Sequence, residues 1–483
     1  MQTALQRSVA DSVLDRPLVV DLDGTLIKSD LLIESFFTLL SARPLQALIA
    51  LAALRHGKAA LKARIAADCE IDAETLPFNP ELLDYLQAEK SRGRQIYLAS
   101  ASDRILVERV AAAIGLFDGV FASDGATNLA GTAKALALIE AFGPGGFDYA
   151  GNARADFPVW HVAHEAIVVG AGGKFTAAVQ RRYPGTRAFD ARCLRLKDYL
   201  RALRVHQWLK NLLIVVPSVA AHRFGFENLT LLGLAFLSFS FCASSVYLLN
   251  DLLDLRNDRT HSTKRNRPLA AGRVPLIHGI VLAPALMALA VVLGLALPRE
   301  FLAILVGYYL ITMVYSLWLK RKVTIDVLTL ACLYGVRLLA GSVALAVPLS
   351  PWLVAFSIFL FLSLAIIKRC TEVIDRIEKG KGDPAGRGYI LRDLPMLEAM
   401  AAASAYVAVM VFSLYINSPA VLELYRAPVY LWLICLVLFY WLSRILLLTH
   451  RGEMHDDPVV FAATDGESLI CGALIMAIAV FSI

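Results

Sequence analysis

Two clusters of polar side chains interrupt an otherwise apolar chain, and each has the makeup of a phosphate-handling site. The first closes the short apolar run Leu18-Val19-Val20 with Asp21-Leu22-Asp23-Gly24-Thr25. Two carboxylates two residues apart at the carboxyl end of a strand stand on the usual ligand edge of an open α/β sheet. One can act as nucleophile or metal ligand while the other handles protons. A DxDG turn without chemistry is the alternative, and the rest of the region decides between them. Ser100 ends a second apolar run, QIYLAS, where its hydroxyl can hold a phosphate oxygen. Lys134 is the only lysine between Lys90 and Lys174, and so the one candidate there to neutralise a phosphate. Gly151-Asn152-Ala153-Arg154-Ala155-Asp156 follows a further apolar run and offers oxygen ligands to Mg²⁺.

The second cluster reads Asn250-Asp251-Leu252-Leu253-Asp254-Leu255-Arg256-Asn257-Asp258, at the end of a long apolar segment. Asn250, Asp254 and Asp258 are spaced i, i+4 and i+8, close to one helical face, and Asp251 lies beside that stripe. Carboxylates crowded at a membrane surface repel one another unless a cation joins them. Mg²⁺ held by a few carboxylates plus substrate phosphates is the natural resolution. His261, Lys264, Arg265 and Arg267 follow. They supply cations for the remaining oxygens of a metal-bound diphosphate and for a departing pyrophosphate. Lys264 and Arg267 are the preferred ligands, the others serving the charge bias of a cytoplasmic loop.

The elements that must position these clusters belong to two different solvents. Of 483 residues, 58% are hydrophobic and only 18% charged, against roughly 45–50% apolar and about 25% charged in soluble domains. Over residues 1–200 short apolar runs alternate with helical patterns, which favours a parallel sheet covered by helices. Residues 29–90, inserted after the first strand, read as almost wholly helical and are expected to form a cap. Its run Leu45 to Leu54 is too short to span a bilayer. Residues 201–483 hold nine apolar segments, at about 209–222, 229–249, 276–297, 301–319, 326–347, 351–367, 397–416, 427–448 and 467–483, most of them near the length of a spanning helix. The first is short and contains Pro217. The loops after the second, fourth, sixth and eighth segments carry most of the lysine and arginine, whereas the opposite side has only Arg223, Arg299 and Arg426. That bias places the amino-terminal region and both clusters on the cytoplasmic side. The first twenty residues contain no apolar signal core, which agrees with that placement. Seven scattered cysteines, Cys193 among them, form no C-x-x-C and read as buried thiols, and a net charge of +6 does not point to nucleic acid.

With four motifs in order, residues 16–190 resemble the haloacid dehalogenase superfamily of phosphohydrolases. The resemblance implies a Rossmann-like α/β domain with Asp21 as phosphoryl-accepting nucleophile and Asp23 as acid/base. Ser100 and Lys134 match its phosphate-binding motifs, and Mg²⁺ would be held around Asp21, Asp23, Asn152 and Asp156. The family's metal-binding motif usually begins with Asp after Gly; here Asn152 stands there, which supplies an oxygen but no charge. A degenerate, regulatory domain is the alternative to a competent phosphatase.

Residues 200–483 resemble the UbiA-type prenyltransferase superfamily, on the nine apolar segments and the N-D-x-x-D-x-x-x-D run. The implied fold is all-α and polytopic, with Mg²⁺ on Asn250, Asp251, Asp254 and Asp258 gripping a diphosphate, and with Asp251 and Asp254 counted as catalytic. Ordinary members carry a second D-x-x-x-D after the sixth span. This chain instead reads Lys368-Arg369-Cys370-Thr371-Glu372-Val373-Ile374-Asp375, and a Lys-Arg pair suggests a phosphate held directly. That pattern, with Arg204 to Asn211, looks like the polyprenyl-phosphate phosphoribosyltransferase branch. The resemblance implies phosphoribosyl diphosphate as donor, a polyprenyl phosphate as acceptor, and Lys210, Lys368, Arg369 and Arg387 as phosphate ligands. Arg337, eleven residues beyond Asp326 in the fifth segment, is either a substrate ligand or a structural hydrogen-bond donor, since buried intramembrane charges are rare.

The expected product keeps a 5-phosphate that the fused phosphatase can remove, yielding a polyprenyl-phosphoryl-ribose, a precursor of arabinose donors for the cell wall. The expected setting is a bacterial inner membrane, with no nucleic-acid partner, and a homo-oligomer is compatible with the sequence. An aromatic prenyltransferase using a prenyl diphosphate is the main rival; it requires the second acidic pair that is missing. A membrane scaffold with a vestigial phosphatase leaves the Asp-rich run unexplained.

Overall fold

A computed structural model of the chain describes residues 16–189, 194–223, 225–261, 263–380, 382–383, 387–454 and 457–483; Cys193 lies outside them. The structure divides into two compact units. One comprises residues up to Leu203 together with Tyr247–Ala283, and the other Arg204–Val246 with Pro284–Ile483.

The first unit contains a six-stranded parallel sheet of β1 (Leu18–Asp21), β2 (Ile96–Asp103), β3 (Gly119–Ser123), β4 (Asp148–Gly151), β5 (Ala166–Val169) and β6 (Arg187–Phe189). The spatial order is β3-β2-β1-β4-β5-β6. β1 is central, in register Val19↔Tyr97 with β2 and Val19↔Tyr149 with β4. The strand order reverses beside it, so Asp21 ends a strand at the crevice where open α/β sheets bind ligands. Period-two alternation gives β1 two buried faces. Leu18 and Val20 pack with Leu82, Leu86, Val107 and Val110 on one side. Val19 packs with Leu138, Tyr149, Trp160 and Val179 on the other.

The helical insertion after β1 has a small core of its own, formed by Leu39, Ala47, Ala50, Leu61, Ile65 and Cys69. Most of these come from the helices Leu31–Ala42, Pro44–Leu51 and Lys58–Asp68. The next helix, Pro80–Ser91, places Leu82 and Leu86 in the sheet's core instead. The structural cap is therefore narrower than the 29–90 stretch.

Among the described residues, seven helices are long and apolar enough to cross a membrane: Phe226–Leu253, Leu276–Gly294, Arg299–Leu317, Ile325–Ala344, Pro351–Glu378, Leu391–Ile416 and Pro428–His450. Pro458–Thr464 and Gly466–Ser482, bent by 80° at their junction, make an eighth if taken as one span. Nine is not reached among the described residues. The expected first span, 209–222, is a tight 3-10 run, Val205–Val215, followed by the five-residue helix Val216–Ala220. Pro217 has no N–H to give an α-helical ladder, and this segment lies hard against the Ile325–Ala344 helix. A Cβ on Gly341 would fall 2.0 Å from the Ile214 carbonyl oxygen, so only glycine permits that approach.

Candidate functional site

In the first unit Asp21 is buried, and its Oδ1 accepts from Lys134 Nζ at 2.6 Å. Lys134 also donates to the Ala99 carbonyl (3.2 Å) and the Tyr149 hydroxyl (3.0 Å). The Tyr149 hydroxyl in turn donates to Asp156 Oδ1 at 3.0 Å. Burial pushes Asp21 up to about 7, against the pull of Lys134, and the Asp156 and Asp23 carboxylates push it further. Burial alone would lower Lys134, but Asp21, Asp156 and Asp23 outweigh it and hold the ammonium above its ordinary value. The lysine expected to neutralise a phosphate is thus already seated on the nucleophile candidate.

Asp23 is the hub of the opening. Its Oδ1 accepts from the Leu31 backbone N–H at 2.7 Å, and its Oδ2 from the hydroxyls of Ser100 (3.1 Å) and Ser102 (2.9 Å). It therefore joins β2 to the first turn of the cap. Gly24, just after the two acids, has φ +77, and a Cβ there would lie 2.0 Å from Asn152 Nδ2. The side chain of Asn152 accordingly packs directly on the Asp21–Thr25 loop. Asp156 Oδ2 accepts the N–H groups of Asn152 and Ala153, each at 2.9 Å, which fixes the backbone that carries Asn152.

Three contributors here carry no sequence signal. Lys62, from the cap, donates to the Ala101 carbonyl at 2.5 Å and to Asn128 Oδ1 at 3.0 Å. Its pKa is lowered by burial. Ser102 and Tyr149 are the others; a serine in a strand and a tyrosine in a core have many bland counterparts.

The Asp-rich run does not form one continuous stripe. The Phe226–Leu253 helix stops and a second, Leu255–Thr260, begins with Asp254 as the joint between them. Arg267 gathers the acids across that joint, with Nη1 3.1 Å from Asp251 Oδ1 and 2.6 Å from Asp258 Oδ2. Burial pushes Asp258 up to about 6, opposed by Arg267 and reinforced by Asp251 and Asp254. Lys264 lies exposed on a short 3-10 turn. The Oδ1 of Asn250 is buried with no hydrogen-bond partner.

Among the described residues, no three His, Cys, Asp or Glu side chains converge as a preformed metal cage. An open, partial oxygen set is what Mg²⁺ uses when substrate phosphates complete its shell. The orphaned amide oxygen of Asn250 beside buried Asp251 fits that role. So does the crowding of Asp21 and Asp23, whose repulsion a cation would relieve.

In the second unit the basic candidates separate into two groups. Lys210 and Lys368 each place Nζ 2.7 Å from Asp457 Oδ2, so the trio carries one positive charge in excess. Both ammonium groups hold the Asp457 carboxyl below the usual range, despite its burial. Arg369 turns elsewhere: it bonds Asp326, Glu372 (2.6 Å) and the Tyr315 hydroxyl (3.1 Å). Arg387 joins the same cluster through Tyr315 (3.2 Å) and Asp326 (3.4 Å). Neighbouring residues on a helix do not face the same way, so the Lys368-Arg369 pair cannot clamp one phosphate together. Arg337 donates to Asn211 Oδ1 (2.8 Å), the Tyr308 hydroxyl (3.0 Å) and the Leu333 carbonyl. The first of these bonds ties it to the Val205–Val215 segment that carries Lys210.

The sequence model of the UbiA prenyltransferase family matches residues 211–464, more than half of the 483-residue chain. The chain belongs to the UbiA prenyltransferase family. The haloacid dehalogenase-like hydrolase family matches residues 18–161, so this UbiA-family enzyme carries an amino-terminal hydrolase domain of that family. It is 37% identical to the uncharacterized protein y4nM of Sinorhizobium fredii, across 95% of this chain and 89% of that one. Nodulation protein NoeC of Azorhizobium caulinodans is 35% identical, over 56% of this chain and 89% of its own length. Decaprenyl-phosphate phosphoribosyltransferase of Mycolicibacterium smegmatis is 34% identical over 36% of this chain. The chain spans only 56% of that last relative's length.

Proposed function

We propose that residues 201–483 transfer phosphoribose from phosphoribosyl diphosphate to a polyprenyl phosphate, and that residues 1–200 then remove the 5-phosphate of the product. The observation that carries this reading is the Lys210–Asp457–Lys368 trio. Toward the end of the Pro351–Glu378 helix Glu372 pairs with Arg369 and Asp375 with Lys379. The trio itself carries a positive charge in excess, which suits a phosphate monoester rather than a second metal. The partial likeness to decaprenyl-phosphate phosphoribosyltransferase supports the same donor and acceptor.

In the transfer, an oxygen of the lipid phosphate attacks the anomeric carbon of the ribose. The bond from that carbon to the diphosphate oxygen breaks, and pyrophosphate leaves with the electron pair. Asn250, Asp251, Asp254 and Asp258 would hold Mg²⁺, whose charge, when bound, stabilises the departing diphosphate. Arg267 shields the acids from one another until the diphosphate arrives, then donates to its oxygens. Lys210 and Lys368 hold the lipid phosphate, and Asp457 draws the two ammonium groups side by side. Arg369 and Arg387 position that segment through Asp326 and Glu372.

In the hydrolysis, an oxygen of Asp21 attacks phosphorus, and the sugar 5-oxygen leaves with a proton from Asp23. Water, deprotonated by Asp23, then cleaves the aspartyl phosphate and releases inorganic phosphate. Lys134 and Ser100 neutralise and orient the phosphoryl oxygens, and Mg²⁺ near Asp21 and Asn152 would add charge stabilisation. Both sites act at the cytoplasmic face of an inner membrane, in the order that serves arabinose donation to the cell wall.

Purified protein in nanodiscs tests the transfer. Pyrophosphate should appear only when phosphoribosyl diphosphate and a polyprenyl phosphate are both present. Pyrophosphate from a prenyl diphosphate and an aromatic acid instead would assign the chain to the other branch of chemistry.

A further inference from the structure

The cap turns an apolar face outward. Leu45, Leu48 and Ile49 are 75%, 58% and 63% exposed, and Leu54, further along the same segment, is 52% exposed. They stand on Pro44–Leu51 and the 3-10 turn Ala52–His56 that continues it. Ala47 and Ala50, on the opposite side, are completely buried in the cap's own core. The helix is therefore anchored by its small residues and presents its large ones to the surroundings. None of these leucines belongs to a helix long enough to span a bilayer.

Along this segment the charge has one sign. Arg43, Arg55, His56 and Lys58 flank it and are exposed. No aspartate or glutamate occurs between Glu34 and Asp68. A leucine-rich face on a segment whose charges are all basic is the pattern of a helix lying in the headgroup region of an anionic bilayer.

The cap is also rooted where a span ends. Glu34, in its first helix, accepts from Arg259 Nη1 at 3.0 Å and Nη2 at 2.5 Å. Asp72, at its exit, lies 3.9 Å from Arg256. A Cβ on Gly272 would meet the Lys28 Cβ at 2.6 Å, so the entry segment rests on the same loop. Arg259 is six residues past Leu253, where the apolar helix stops, which is about 9 Å at helical rise. A further short helix of this unit, Leu196–Ala202, is tied to the next span by Tyr199 Oη to His278 Nδ1 at 2.7 Å.

We propose that the Pro44–His56 face of the cap docks on the anionic leaflet that this chain itself crosses. Leu45, Leu48, Ile49 and Leu54 enter the acyl boundary, and Arg43, Arg55 and Lys58 bind lipid phosphates. Docking holds the cap, which Asp23 joins to β2, at headgroup level, so a phosphate carried on a lipid is presented to the Asp21 site without leaving the bilayer. The docking does not depend on which sugar or lipid the two sites process.

The test uses the full chain in nanodiscs, with an environment-sensitive fluorophore on Ile49→Cys in a background carrying Cys193→Ser and Cys332→Ser. With phosphatidylglycerol present, emission should shift to the blue and be quenched by headgroup-proximal brominated lipids. Quenching by aqueous iodide should fall several-fold relative to phosphatidylcholine discs. The charge reversals Arg55→Glu and Lys58→Glu should restore iodide access in the anionic discs. In the unmodified chain, amides of residues 45–56 should exchange more slowly in phosphatidylglycerol than in phosphatidylcholine discs. Free iodide access with no bromolipid quenching in either disc would overturn the proposal. So would protection that is independent of lipid charge, together with disulfide cross-linking of two unlabelled Ile49→Cys chains through the introduced thiols. That pair of results would mean that a second copy covers the face.

Discussion

The contact between Glu34 and Arg259 ties the phosphatase cap to the loop that carries the Asp-rich run, and its strength can be worked out. The two side chains are 4% and 7% exposed and meet through two bonds. Ser29 Oγ also donates to Glu34, and Arg259 Nε donates to the Ala270 carbonyl at 2.8 Å. Removing one partner of such a buried pair leaves an uncompensated charge, which costs about 3–5 kcal/mol. Arg259→Met also strips the Ala270 carbonyl of its donor, adding about 1 kcal/mol. Replacing both residues with methionine removes both charges, and the buried pair becomes apolar contact at little net cost beyond the loss of about 1 kcal/mol at the Ala270 carbonyl. The three variants and the parent form a double-mutant cycle whose coupling should be several kcal/mol. Hydrogen exchange of the Leu31–Ala42 and Leu255–Thr260 helices, in the full chain in nanodiscs, reads the opening free energy of this contact directly. Each single variant should lower it by the larger amount and the double variant should recover most of the loss. Single variants within about 1 kcal/mol of the parent, or a double variant equal to the sum of the singles, would refute the reasoning.

Three further outcomes are expected. Asp21→Asn should abolish phosphate release while leaving pyrophosphate formation intact, so that the lipid product accumulates with its 5-phosphate, seen by mass spectrometry of the lipid extract. Lys210→Ala and Lys368→Ala should each lower kcat/KM for the polyprenyl phosphate about 10–100-fold, the loss of one charge-assisted hydrogen bond, with a smaller change for the ribosyl donor. The third concerns pH in metal-free protein. Asp21 keeps its proton up to about 7 in the folded chain, against 3.8 as its ordinary value. Between those values the folded state binds more protons than the unfolded one, so this group's contribution to stability falls as pH rises from about 4 to about 7. Exchange-derived opening energies of β1 should show that slope, and Asp21→Asn should flatten it.

Much of the first site is legible in the sequence because Asp21 and Ser100 close short apolar runs, and ligands bind at the carboxyl edge of a parallel sheet. Lys134, on the helix Thr132–Phe142, is legible only as the lone lysine of its stretch. Lys62, Ser102 and Tyr149 are not legible, since their roles depend on which cap residue leans over which strand. Asp457 is hidden for a related reason: it precedes a proline and reads as a helix cap, which it also is, through the Val459 N–H. Its partners stand 247 and 89 residues away in the chain. The Lys368-Arg369 pair reads as one clamp only while adjacency in sequence stands for adjacency in space, and helical geometry separates the two. The 209–222 run shows the limit of hydropathy. Its apolar content is real, but the structure builds it as a 3-10 run and a five-residue helix seated closely on Gly341, not as one long α-helix.

The fate of one donor decides between phosphoribosyl transfer and its rivals. Phosphoribosyl diphosphate carrying carbon-labelled ribose and a radiolabelled 5-phosphate should be given to the purified chain in nanodiscs with a polyprenyl phosphate. The carbon label should pass into the lipid phase and the radiophosphorus into water as inorganic phosphate. With Asp21→Asn, both labels should stay together in the lipid. Neither label in the lipid of the parent protein, with both substrates present, would contradict the transfer.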